Sequence, residues 1–167
     1  MTDLAEPLIM RGLVAAEALR GCGEEEIVAL MNAQGVTELP LAYREFLGCA
    51  GRDPYWLSRN DEWDYDWVVE AKDLAREIVV DDYERDFEPF ENSFIFLTHH
   101  GYMFYYFRPE DLAAPDPNFW IYLGDKPVRD SGLSFTQWLR GLADYLPTAI
   151  ELRREVSVIE NRQKDDR

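Results

Sequence analysis

The sequence has little that would place the chain in a membrane or outside the cell. It contains only two cysteines, Cys22 and Cys49, too few for the disulfide framework of a small secreted domain. No run of about 18 apolar residues occurs, so no membrane span is predicted. Residues 1–6 carry two acids and no base, unlike a signal peptide. We therefore expect a cytoplasmic protein, and the length of 167 residues suggests one domain.

Basic residues are also scarce. The chain has 17 Lys and Arg against 33 Asp and Glu, a formal net charge of −16. Such a chain is repelled by phosphate backbones and anionic lipids, so direct nucleic-acid or membrane binding is not expected. The excess is concentrated in residues 53–91, which hold 14 acids and four bases, a net charge of 4 − 14 = −10.

The residues that usually carry catalysis or bind metals form no recognisable motif. His99 and His100 are the only histidines, and neighbours on a strand point to opposite faces. The aspartates 61, 64 and 66 lack the glycine and the terminal glutamate of a calcium loop. Cys49 lies near a helix C-terminus, which disfavours a thiolate nucleophile. The sequence predicts no metal site, no cofactor and no catalytic residue.

Hydrophobic periodicity predicts helices over the first half of the chain and again from residue 134. The predicted helices cover residues 4–20, 24–34 (ended by Gly35), 40–50 (ended by Gly51), 68–83 and 134–146. The last of these starts with a capping box formed by Ser134 and Gln137 and is expected to end at Pro147. One more helix is possible after it, and residues 160–167 read as a frayed, charged tail.

Short β-prone runs fill the region between these helices. Residues 94–98 and 102–107 are joined by residues 99–101 and predict a β-hairpin. A third strand is expected at 119–123 and a fourth around Val128. Because no βαβ alternation is present, the order predicts an α+β domain with an antiparallel sheet of about four to six strands and helices packed against it.

Three blocks together resemble the SUKH superfamily. The first is residues 27–30 leading through Gly35 to Leu39-Pro40 and an aromatic helix with Tyr43. The second is the strand-turn-strand of residues 94–102, and the third is the closing helix start at 134–139. The resemblance covers residues 24–146 and implies one SUKH-like domain over 1–167, with the helix at 4–20 added to it.

The resemblance also implies a function. The superfamily groups a fungal regulator of cell-wall synthesis with many bacterial immunity proteins, scaffolds that bind other proteins and have no known catalytic centre. The expected role is stoichiometric neutralisation of a cognate toxin, a basic protein and in many cases a nuclease. Two alternatives stay open: a regulatory module that binds a cellular protein, and a hydrolase that uses a buried acid. The sequence leaves the oligomeric state open.

The acid-aromatic segment 53–67 is the predicted partner-binding site, because carboxylates can mimic phosphates and aromatic rings anchor interfaces. Its candidate residues are Asp53, Tyr55, Trp56, Asp61, Glu62, Trp63, Asp64, Tyr65, Asp66 and Trp67. The competing interpretation places Trp63, Tyr65 and Trp67 inward on a strand, with the neighbouring carboxylates merely solvated.

Overall fold

The structure is a computed structural model that describes residues 2–59 and 61–165, with side chains for 3–59 and 61–155. Its helices are α1 (Thr2–Met10), α2 (Glu24–Ala33), α3 (Leu41–Ala50), α4 (Tyr65–Glu77) and α5 (Phe135–Asp165). Its strands are β1 (Phe94–His99), β2 (Met103–Phe107), β3 (Asn118–Leu123) and β4 (Arg129–Ser134). Each strand pairs antiparallel with the next in the order β1-β2-β3-β4. The predicted α+β class and strand number are confirmed.

Alternate side chains of the sheet fill two separate apolar clusters. Phe94, Phe96, Phe107 and Phe119 join the larger cluster, which includes buried residues of α2, α3 and α5. Ile95, Phe104, Tyr106 and Tyr122 join a second cluster with Ala71, Ala75, Ile78 and Val79. Because a strand turns successive side chains to opposite faces, the sheet lies between these clusters, and α4 covers the second.

The ends of two helices follow from their glycines. Gly35 has a φ of +66°, its N–H donates to Asn32 O (3.1 Å), and Val36 N–H donates to Met31 O (3.0 Å). This is a Schellman cap, and it confirms the end predicted for α2. Gly12, also at φ +66°, closes α1 in the same way. The predicted helix over 4–20 is therefore wrong, since α1 stops at Met10 and only a short 3₁₀ turn follows.

Two further helix predictions need correction. Pro147 does not end the last helix; it lies inside α5, which continues to Asp165. The tail expected to fray over residues 160–167 is therefore helical up to Asp165, and residues 166 and 167 lie outside the described part of the chain. Leu146 is fully buried and Ile150 packs against the core, so contacts on both sides of the proline favour continuation despite the lost N–H. The helix predicted over 68–83 begins three residues earlier and ends in a π-helical turn, Ile78–Asp82.

The predicted start of the last helix is confirmed. Gln137 Oε1 accepts from Ser134 N (2.9 Å), and Ser134 Oγ accepts from Gln137 N (3.3 Å), as a capping box requires. No helix in the part of the chain the structure describes is long and apolar enough to span a membrane.

Candidate partner-binding surface

Helix α4 is built to sit close to the sheet with one face outward. Asp64 is its N-cap and accepts a hydrogen bond from Trp67 N (3.2 Å). Val68, Ala71 and Ala75 recur at helical spacing on the buried face, and the two alanines allow the backbone to approach the strands. The opposite face of α4 is therefore fixed toward solvent.

That outward face carries only acids at helical spacing. Asp66, Glu70, Asp73 and Glu77 recur at i, i+4, i+7 and i+11, and all four are exposed. We call these four residues the acidic face of α4. Like charges at this spacing destabilise a helix by about 0.2–0.5 kcal/mol per pair, so helix stability does not account for the pattern.

The bases of the same helix do not neutralise this face. Lys72 Nζ donates to the carbonyls of Gln34 and Glu91. Arg76 donates both bonds to the Glu91 carboxylate (2.8 and 2.9 Å). Among the described residues, only Asp66 of the acidic face has an ion-pair partner, Arg52 at 3.1 Å. Most of the negative potential of this face is therefore directed to solvent.

The acids of residues 53–91 as a group are also directed to solvent. Of the 14 acids in residues 53–91, ten are exposed, four are half-buried and none is buried. Within the described residues, only Asp66 and Glu91 pair with an arginine, and Asp61 lies beside His99. The charge excess in the sequence therefore becomes a surface charge.

The aromatic members of segment 53–67 are mainly structural. Trp63 is 1% exposed, stacks on Phe46 and is not available to a partner. The guanidinium carbon of Arg52 lies over the Tyr65 ring, 4.4 Å from the ring centroid. Tyr55 donates a hydrogen bond to Asp64, and Trp56 is half-buried. The exception is Trp67, whose side chain is 41% exposed.

The acids of segment 53–67 have different roles in the structure. Asp64 caps α4, and Asp61 Oδ1 lies 2.9 Å from His99 Nδ1. Glu62 pairs through its backbone with Thr98 of β1, which ties the loop to the sheet edge. Asp53 is half-buried, and Asp66 belongs to the acidic face of α4. No strand forms over 63–67, because Asp64 starts a helix there.

A groove of about 210 Å³ runs between α4 and the turn end of β1. Trp67, Leu74 and Ile78 provide its apolar wall, and Glu62, Glu77 and Asp82 provide its carboxylates. Thr98 and Gly101 complete the lining. We call this the α4 groove, and it lies beside the acidic face.

Hydrogen bonds fix the aromatic end of the α4 groove. Trp67 Nε1 donates to Thr98 Oγ1 (2.6 Å), and Thr98 Oγ1 donates to Glu62 Oε2 (3.4 Å). Thr98 is buried, so the indole ring and the Glu62 carboxylate are both held against a rigid strand. An exposed aromatic ring is therefore presented in one orientation beside a negative charge.

A second cleft, of about 540 Å³, lies between the loop before α4 and helix α5. Asp61 and His99 line it together with Tyr105 and Trp138. Burial is the main cause that raises the pKa of Asp61, and His99 opposes it. Ser58 donates to Asp61 Oδ2 (3.3 Å), so the serine hydroxyl is bonded to the acid and not to the histidine.

The buried thiol of Cys22 is unsuited to nucleophilic attack. Burial raises the pKa of Cys22 to about 11, so this thiol is protonated at neutral pH. Within residues 2–59 and 61–165, no group of three or more His, Cys, Asp or Glu side chains is placed to hold a metal ion.

The candidate surface extends further along the chain than the segment predicted from the sequence. The spacing of Asp66, Glu70, Asp73 and Glu77 was readable in the sequence as the complement of the predicted apolar face. The role of Leu74 and Ile78 was not readable, because their place in the groove depends on how α4 lies against β1.

Comparison with protein families gives a match over most of the chain. The model of the SMI1/KNR4 family (SUKH-1) matches residues 21–141, which include α2 to α4 and all four strands. Comparison with curated proteins and with solved structures gives no significant match. Membership of this family supports a protein-binding module of the immunity or regulatory type. With nearly three quarters of its residues matched and an α+β fold of the expected kind, the chain belongs to the SMI1/KNR4 (SUKH-1) family.

Proposed function

We propose that this protein is an immunity protein that neutralises a cognate toxin by stoichiometric binding. Its contact surface is the acidic face of α4 together with the α4 groove, including Glu62, Asp66 and Trp67 of the sequence-predicted segment. The partner is a basic protein, and a nuclease is the class that best fits a carboxylate surface. The whole chain acts as one binding domain inside the cell, where its two cysteines, both free, would remain reduced.

The observation that carries the proposal is the acidic face of α4, on which only Asp66 has an ion-pair partner among the described residues. Exposed charges of one sign raise the rate of encounter with an oppositely charged partner. A toxin that acts on nucleic acid displays basic groups for the phosphates, and these groups would meet the carboxylates instead. The face would then cover the substrate site of the toxin and block it.

Apolar contacts supply the lasting part of the affinity. Exposed rim charges affect the association rate more than the final affinity, whereas desolvated aromatic anchors dominate binding energy. Trp67 is exposed, held in place by Thr98, and next to the acidic face. The proposed surface therefore combines a charged field with an oriented aromatic anchor.

The proposal is tested by co-expression with the product of the adjacent gene. We expect this protein to restore growth of cells that express the adjacent product and to co-purify with it at a 1:1 ratio. Growth arrest without rescue, or rescue without a complex, would contradict neutralisation by binding. Co-purification of a resident cellular protein in place of the adjacent product would favour a regulatory module.

The cleft that contains Asp61 and His99 is the feature that a hydrolase function would use. Asp61 has a raised pKa and lies beside His99 in a cleft, as a catalytic acid can. The lining of that cleft in the described part of the chain offers Ser58 as its aliphatic hydroxyl, and Ser58 is bonded to Asp61. The contact between Asp61 and His99 instead joins the loop before α4 to the turn end of β1, which is a structural role.

A further inference from the structure

We propose that the α4 groove binds a basic segment of the protein partner, with an arginine stacked on Trp67 beside Glu62. This inference rests on the proposed function for the existence of such a partner. It adds the chemistry of the anchoring residue and its position in the groove.

The protein itself shows how its rings and carboxylates hold arginine. Among the side chains that the structure describes, three arginines lie over aromatic rings at 3.2–4.4 Å from the centroid: Arg52 over Tyr65, Arg76 over Phe87 and Arg108 over Trp120. Each also pairs with carboxylates: Arg52 with Glu26 and Asp66, Arg76 with Glu91, and Arg108 with Glu110. The combination of a ring face with a nearby carboxylate is thus used three times within the fold.

The α4 groove has the same combination without the cation. Trp67 and Glu62 are joined through Thr98, and no basic residue belongs to the lining in the part of the chain that the structure describes. An arginine from outside would complete the set. Its planar guanidinium can stack on the indole while its N–H groups donate to the carboxylate, which the compact ammonium of lysine does less well.

The groove is longer than one side chain. Residues 67 and 77 are 10 positions apart on the α4 axis, a rise of about 15 Å. Glu77 and Asp82 lie toward the far end from the Trp67–Glu62 pair, where helix carbonyls add partial negative charge. The two ends therefore accept two basic side chains of one segment, and a spacing of four positions, about 13 Å, turns both side chains to the same face if that segment is extended.

The test uses peptides and the full chain, so it needs no toxin. The probe is a glycine-serine hexapeptide, blocked at both termini, with arginine at positions one and five. Three further peptides have citrulline at these positions, lysine at these positions, or two adjacent arginines. Binding is followed by the NMR signal of the Trp67 indole N–H, which a Trp67→Phe variant identifies.

We expect the spaced arginine peptide to shift the Trp67 signal saturably. Lysine and adjacent-arginine peptides should bind more weakly, and citrulline should give no saturable shift. Glu62→Gln and Glu77→Gln should each weaken binding about two- to fivefold, whereas Glu25→Gln on α2 should not. The Glu62→Gln substitution keeps the shape of the side chain and an acceptor for the Thr98 hydroxyl, so the fold is preserved.

Four results would overturn the inference: no saturable shift, equal binding of citrulline, equal binding of lysine, or equal binding of adjacent arginines. Any of them leaves the proposed function to be judged by co-expression. Conversely, failure of co-expression with an intact peptide response would reject the toxin partner and keep the arginine-binding groove.

Discussion

Gln34 is the residue on which the position of α4 most depends. It is fully buried, and its Nε2 donates to Val68 O (2.8 Å) and Ile95 O (2.6 Å). Its Oε1 accepts from Ile95 N (2.8 Å). One side chain at the end of α2 thus joins α4 to β1. Periodicity could not reveal this role, because a glutamine before a helix-ending glycine reads as a surface residue.

Gln34→Ala should lower the free energy of unfolding by about 3 kcal/mol or more, because three buried backbone groups lose their partners. Denaturant unfolding measures this change. Gln137→Ala, which removes an exposed capping interaction, is the matched control and should cost about 1 kcal/mol or less. Equal effects of the two substitutions would contradict the role given to Gln34.

At the scale of the element, α4 carries charges that oppose its own stability. Glu77 is the last residue of α4 before the π-helical turn, close to the negative end of the helix dipole, and it follows Asp73 by one turn. By contrast, Glu24, Glu25 and Glu26 occupy the first turn of α2, where acids are favourable. The acidic face of α4 therefore fits a binding role better than a folding role.

Glu77→Gln should raise the free energy of unfolding by about 0.5 kcal/mol, through relief of repulsion and of the unfavourable dipole contact. Glu25→Gln makes the same chemical change in the first turn of α2 and should lower the free energy of unfolding by a similar amount. Thermal unfolding at low salt compares the two variants. Destabilisation by Glu77→Gln would show that the carboxylate has a structural partner.

Elements with local signals were predictable from the sequence. Gly35 ended α2 and the Ser134–Gln137 box started α5 as expected, since both depend on neighbouring residues only. Pro147 failed as a stop signal because tertiary packing of Leu146 and Ile150 outweighs the local cost. The burial of Trp63 likewise depends on Phe46, which is distant in sequence.

At the scale of the whole molecule, the charge is unevenly distributed. The net −10 of residues 53–91 compares with −16 for the full chain, and its carboxylates lie at or near the surface of one region around α4. Such a field acts over a distance of about 8 Å at physiological salt. We therefore expect partner capture to depend on ionic strength and on this region in particular.

The most direct measurement is the association rate of the purified protein with its co-purified partner at several salt concentrations. The test variant removes three charges from the acidic face of α4: Glu70→Gln, Asp73→Asn and Glu77→Gln. The control removes three exposed charges elsewhere: Glu25→Gln, Glu38→Gln and Glu151→Gln. At low salt we expect the test variant to associate about fivefold more slowly than the wild type, with a flatter dependence of the rate on salt. The control variant should associate at nearly the wild-type rate. Equal rates for the wild type and the test variant would contradict the role proposed for the acidic face of α4.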